Sequence, residues 1–317
     1  GTRGPACSTD GGKTWTWLGL PKAENAGAPA KKPPAFQYTF AADAGEVRFC
    51  FGIPYFESDL KDFLAKHHGR PELKAETLCK TKKDRAVEVL FFGPPAGKGE
   101  YRLVFTCRHH SCESMASYEL EGILEALLAD DQTGQWYREH VSAVIVPFVD
   151  KDGVEDGDQG KNRKPHDHNR DYAGEPIYPA VAALKKLLAE WSGGRLDLAV
   201  DLHCPWRLDN VIQFIGGPDP KMWERVGELS RMLEETKQGP LPFSAKDNLP
   251  FGKNWNTDTA PQKGFARWAG ELPGTRIATT IEFPYATAKG VEITPQNARL
   301  FGRGLAEAMR AYMEKNP

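Results

Sequence analysis

Five short runs, AVEVLFF (86–92), YRLVFTC (101–107), SAVIVPFV (142–149), LDLAVDLH (196–203) and RIATTIEFPY (276–285), are almost continuously apolar. A strand with one wet face alternates polar and apolar residues, so runs like these predict strands buried on both faces. Between most of them lie helical patterns: 114–130, 178–191, about 221–236 and 294–313. In the first of these, Met115, Leu120, Ile123, Leu124, Leu127 and Leu128 fall on one face. The expected class is α/β, a mixed, mostly parallel central sheet with helices on both faces, with NVIQFIGG (210–217) as a further strand. Ahead of it, STDGGKTWTWLG (8–19) reads as a strand with a Gly-Gly turn, and KAENAGAPAKKPP (22–34) as a polar linker. Residues 1–44 are therefore expected to form a small β element and linker, and residues 45–317 the main domain.

At 317 residues the chain can bury a substantial core. Its 41 Lys and Arg against 43 Asp and Glu leave a formal charge of −2, no footprint for nucleic acid or an anionic membrane. The expected partner is a small molecule or a peptide. No apolar run approaches the roughly 18 to 20 residues of a spanning helix, and GTRGPACSTDGG has no apolar signal-peptide core. The sequence does not begin with Met, so cytoplasmic residence and export after removal of a leading segment both stay open. Oligomeric state is not legible. Six cysteines without a C-x-x-C pair are expected as free thiols.

Open α/β sheets bind ligands beyond the carboxyl ends of their strands. Three such ends carry chemistry: TCRHHSCE, DLHCPW and EFPY. His110 and Glu113, three residues apart, can turn an imidazole and a carboxylate toward one ion, and His203 at another strand end is the best third ligand. Two histidines and a glutamate with an open position form the catalytic zinc pattern. Cys107, Cys112 and His109 are expected to pack, and His166 and His168 to fill space rather than build a second metal site. Glu282, closing an apolar strand, needs a partner or a function.

HSCE, GKNR, DHNRDY, DLH and TTIEFPY, in that order, resemble the zinc metallocarboxypeptidase family over about residues 45 to 290. VRFCFGIPYFESDLKDFL, TLCKT and SYELEGILEALL are similar to its cytosolic carboxypeptidase-like branch. The resemblance implies a carboxypeptidase-like fold with one zinc ion on His110, Glu113 and His203, acting on the C-terminus of a peptide or protein. It implies that Asn169 and Arg170 grip the substrate carboxylate, that Asp167 orients a ligand histidine, that Arg163 holds the oxyanion and that Glu282 is the general base. Two departures stand out: no tyrosine lies between His203 and Glu282 where many members carry a mobile one, and HSCE replaces the branch's His-Pro-Gly-Glu. Phe265, Arg267 or Trp268 are expected to cover the substrate instead. Lys263 or Arg267 would favour an acidic side chain in the residue removed. STDGGKTWTWLG resembles the last strands of the β-sandwich that precedes the catalytic domain in that branch. Two other functions fit the same residues: a zinc amidohydrolase of N-acyl amino acids, and a peptide-binding module without catalysis.

Overall fold

The computed structural model describes residues 2–19, 36–95, 98–257 and 263–317; the stretch KAENAGAPAKKPP lies outside them. Strands β1 (Ala6–Ser8), β2 (Thr16–Trp17) and β3 (Arg48–Cys50) form a small antiparallel sheet in the order β2-β1-β3. The N-terminal β element thus reaches past residue 44, because Arg48–Cys50 supplies its third strand. Between β1 and β2, Asp10 folds the Gly-Gly turn by accepting from the backbone N–H groups of Lys13 and Thr14.

The main sheet has seven strands: β4 (Leu73–Lys80), β5 (Ala86–Phe92), β6 (Tyr101–Cys107), β7 (Val141–Val146), β8 (Leu196–His203), β9 (Gln213–Ile215) and β10 (Thr275–Glu282), in the order β4-β5-β7-β6-β8-β10-β9. The central four, β7, β6, β8 and β10, run parallel, and the pairings outside them are antiparallel. Every residue of β7 and β8 is buried, as their almost continuously apolar runs require. The helices are α1 (Glu57–Lys66), α2 (Ser114–Leu128), α3 (Gln132–His140), α4 (Lys151–Asp156), α5 (Pro179–Trp191), α6 (Pro220–Thr236), α7 (Phe265–Gly270) and α8 (Pro295–Lys315). One core lies between the sheet and α2, α6 and α8; the other lies under α5 and α7.

Helix α4 interrupts what reads in sequence as one long polar loop. Its signal is local: Asp150 caps the first turn by accepting from Gly153 N at 3.0 Å, and Gly157 ends the helix in the left-handed region. Helices α2 and α8 approach closely at two glycines. A Cβ on Gly122 would lie 2.0 Å from the Arg299 carbonyl oxygen, and one on Gly302 2.1 Å from that of Glu119.

Glu119 is an anomaly in that contact. It is fully buried, and neither carboxylate oxygen has a hydrogen-bond partner among the described residues. Burial alone holds its carboxyl well above the ordinary carboxylate range. A raised acid contributes fully below its unfolded pKa and loses that contribution as pH rises toward the folded one. Glu119→Met, similar in volume and apolar, is therefore expected to raise unfolding free energy at pH 8 by about 1–3 kcal/mol. The gain should shrink toward pH 4, which urea melts at the two pH values would read.

Candidate active site

Strands β6, β8 and β10 are adjacent and parallel, so the residues at their carboxyl ends emerge side by side. Cys107 lies opposite Leu202, and His203 lies opposite Glu282. Beyond Cys107 the chain turns sharply into α2. Arg108 takes a left-handed conformation (φ 61°) there, and its buried guanidinium donates to the Ser111 and Tyr55 carbonyls at 2.9 Å and to Ser117 Oγ at 3.1 Å. These bonds hold the turn that carries His110 and Glu113. No feature of the sequence motif singles out Arg108.

His110, Glu113 and His203 converge. His110 Nδ1 is 3.0 Å from Glu113 Oε1, and His203 Nδ1 is 2.7 Å from Glu113 Oε2. One ligand atom from each lies within 4.8 Å of the others, and all three residues are buried. The outward nitrogens face carboxylates: His203 Nε2 lies 2.7 Å from Asp201 Oδ2, and His110 Nε2 lies 3.5 Å from Asp167 Oδ1. Two imidazoles with matching Nδ1 atoms turned inward, each backed by a carboxylate, fit a metal ion. Among the described residues the only other such group is His109, Asp201 and His203. His166 and His168 belong to neither. His166 bonds Asp171 at 2.7 Å, and His168 stacks on Tyr178.

The charges of the group are strongly interdependent. Burial would raise Glu113, but His110, His203 and Lys161 outweigh it and hold the carboxyl well below its usual range. Burial likewise opposes protonation of His203, and Asp201 and Glu113 override it, so its basicity is raised. Glu282 goes the other way. Burial, reinforced by Glu113 and only partly opposed by His203 and Lys161, pushes it up to about 7. Its Oε2 has no hydrogen-bond partner among the described residues. A carboxylate poised near neutral pH and bordering a cavity is suited to taking and returning a proton.

That cavity, of about 350 Å³, is bordered by His110, His203, Glu282, Asn169, Arg170 and Arg267. Asn169 is held through its oxygen: Oδ1 accepts from Phe265 N at 2.9 Å, and its Nδ2 lies beside His203, 3.1 Å from Nε2. Arg170 is exposed, with one Nη on the Asn169 carbonyl. Phe265 is fully buried in the cavity wall, so it does not cover a ligand from above. The exposed aromatic at the cavity is Trp255, in the polar segment between α6 and α7. Lys263 is paired with Glu271 and does not border the cavity, whereas Arg267 of the same segment does.

Arg163 is placed differently from expectation. Its Nε and Nη2 bind Asp150 Oδ2 at 2.9 and 2.6 Å, its Nη2 also reaches Asp158 at 3.1 Å, and it does not border the cavity. The cause is Asp150, which is buried at the cap of α4 and requires a counter-charge. The cation of the same loop that does touch the ligand group is Lys161, with Nζ 2.7 Å from Glu113 Oε1. All six cysteines are free. Cys107 is buried, and Cys112 Sγ lies 3.4 Å from the Tyr285 hydroxyl.

None of the known protein-family models matches the chain. In sequence it is similar to cytosolic carboxypeptidase 2 of Danio rerio, 26% identical over 303 residues covering 89% of this chain and 40% of that protein. It is also similar to cytosolic carboxypeptidase 6 of Caenorhabditis elegans, 28% identical over 167 residues covering 50% and 36%. The chain thus spans less than half the length of either relative. In structure it matches a metallo-carboxypeptidase from Burkholderia cenocepacia with a TM-score of 0.75 at 17% identity, covering 100% of this chain and 82% of that one. A metallo-carboxypeptidase from Pseudomonas aeruginosa matches with a TM-score of 0.72 at 19% identity, covering 99% and 81%. The fold is that of the zinc carboxypeptidases, and on it the chain places a buried His-x-x-Glu and a distant His. Its distant curated relatives are cytosolic carboxypeptidases. Among the described residues no helix is long and apolar enough to cross a membrane.

Proposed function

We propose that the protein is a zinc-dependent carboxypeptidase that hydrolyses the last peptide bond of a peptide or protein tail. The observation that carries this reading is the convergence of the His110, Glu113 and His203 group, a partly exposed carboxylate raised to about 7 and an exposed arginine at one cavity. Zinc, when held by the three ligands, supplies Lewis-acid polarisation of oxygen. The remaining work falls to the chain. Arg170 and Asn169 take the terminal carboxylate, which fixes the end of the substrate in the cavity. Glu282 accepts a proton from water as it attacks the scissile carbonyl and returns that proton to the leaving amine, so the bond breaks without a free charged amide. The oxyanion role that the family resemblance assigns to Arg163 requires its bonds to Asp150 and Asp158 to open, whereas Lys161 already stands at Glu113.

Preference for an acidic C-terminal residue is supported by Arg267 on the cavity. Arg267 borders the cavity together with Asn169 and Arg170. A panel of tripeptides ending in Glu, Leu or a C-terminal amide, run beside N-acyl amino acids, tests the whole reading. Glu is expected to be cleaved fastest and the amide hardly at all. Faster turnover of N-acyl amino acids would make the protein an amidohydrolase instead, and no turnover of any member would leave a binding module.

Arg170 has its own expected signature. Arg170→Met removes charged hydrogen bonds worth about 1.5–3 kcal/mol, so kcat/KM should fall roughly ten- to a hundredfold. Amidated substrates, already lacking the carboxylate, should lose little further.

A further inference from the structure

We propose that His109 and Tyr172 are positioning residues for the ligand histidine His203, acting on it through Asp201. The inference rests on the metal-site reading above and extends it to two residues that touch neither the ligand group's inner face nor the cavity.

Asp201 lies on β8, two residues before His203, and is fully buried. One of its oxygens, Oδ2, is 2.7 Å from His203 Nε2. The other, Oδ1, is 2.8 Å from His109 Nδ1 and accepts the Thr106 hydroxyl at 2.7 Å. His109 in turn has Nε2 2.7 Å from the hydroxyl of Tyr172, also buried. The two imidazoles, His109 and His203, lie nearly parallel, 8° apart with centroids 5.8 Å apart, on either side of this carboxylate.

Donor accounting gives the chain a single direction. An ionised carboxylate only accepts, so both facing imidazole nitrogens, His109 Nδ1 and His203 Nε2, must carry hydrogen. With Nδ1 protonated, neutral His109 offers Nε2 as an acceptor, and the Tyr172 hydroxyl is its donor. Each bond requires the next: Tyr172 selects the tautomer of His109, His109 and Thr106 hold one oxygen of Asp201, and the other oxygen leaves His203 with Nδ1 turned to Glu113. Nothing exposed shares the work, because all of these groups are buried. His109 therefore does more than the packing expected of it from the sequence.

Removing outer partners of a ligand histidine typically weakens metal binding about 10- to 100-fold. The experiment is titration of zinc into the metal-stripped protein against a chelating dye, for the parent, His109→Phe, His109→Asn and Tyr172→Phe. Circular dichroism accompanies each titration to verify that the variant folds. His109→Phe keeps the ring and loses the donor, so its zinc dissociation constant should rise roughly 10- to 100-fold. His109→Asn places an amide N–H near the former Nδ1 and should recover most of that loss, which a purely space-filling role would not produce. Tyr172→Phe should weaken binding several-fold. A parent that binds zinc while folded His109→Phe and Tyr172→Phe bind it within twofold overturns the proposal alone. A parent that binds no zinc overturns it together with the zinc reading.

Discussion

Glu282→Gln is expected to leave bound zinc at its parental level and to lower kcat by about 10³-fold, within the 10²- to 10⁴-fold that a positioned acid–base group contributes. The geometry asks for this separation of effects. Glu282 is the residue of β10 in register with His203, so it stands beside the ligand group without being part of it. A glutamine there keeps the size and most of the polarity and cannot accept a proton. The opposing outcome, parental kcat with glutamine in place, would leave the raised carboxyl as an accident of burial and would remove general-base hydrolysis from the reading. Metal analysis of the same preparation prevents loss of zinc from imitating loss of the base.

What was legible in the sequence was whatever depends on periodicity and on strand ends. The continuous apolar runs specify buried strands because both faces must be dry, and β5, β6, β7, β8 and β10 all lie on the runs singled out. Once those strands are parallel neighbours, His203 and Glu282 have little choice but to emerge together. Edge elements carry weaker signals. β4, largely exposed, has a mixed polar pattern, and α3, of only nine residues, has few buried positions.

Side-chain direction in loops was the least legible. Arg163 sits in a recognisable GKNR stretch, yet which way it points depends on the buried Asp150, thirteen residues earlier, whose cap of α4 appears only after the chain has folded. Lys161, two residues before Arg163, reaches Glu113 for the same reason: a buried carboxylate draws the nearest available cation. The adjacent histidines show the limit most sharply. His110 and His109 are chemically identical in sequence, but the turn made by Arg108 sends one to Glu113 and the other to Asp201 and Tyr172.

Glu113→Gln should have the larger effect of the two site variants, because it removes the only carboxylate in the proposed ligand set. Both histidines turn their Nδ1 atoms to this side chain, at 3.0 and 2.7 Å, so the carboxylate joins the two strand ends. The amide is nearly the same shape, which separates loss of charge from loss of volume. A neutral oxygen in place of an anion binds a dication far more weakly, and peptidase activity should fall by roughly 10⁴-fold or more, the several kcal/mol of transition-state charge stabilisation that a metal supplies. Zinc content per chain, read on the same sample, should drop toward zero, whereas Glu282→Gln should retain it. Lys161 would then face no anion at Glu113, so the folded variant should also titrate differently from the parent in the alkaline range. A Glu113→Gln protein that keeps stoichiometric zinc and turns over peptides at the parental rate would place the metal elsewhere, and His110 and His203 would have to be read as a buried ion-pair network instead of ligands.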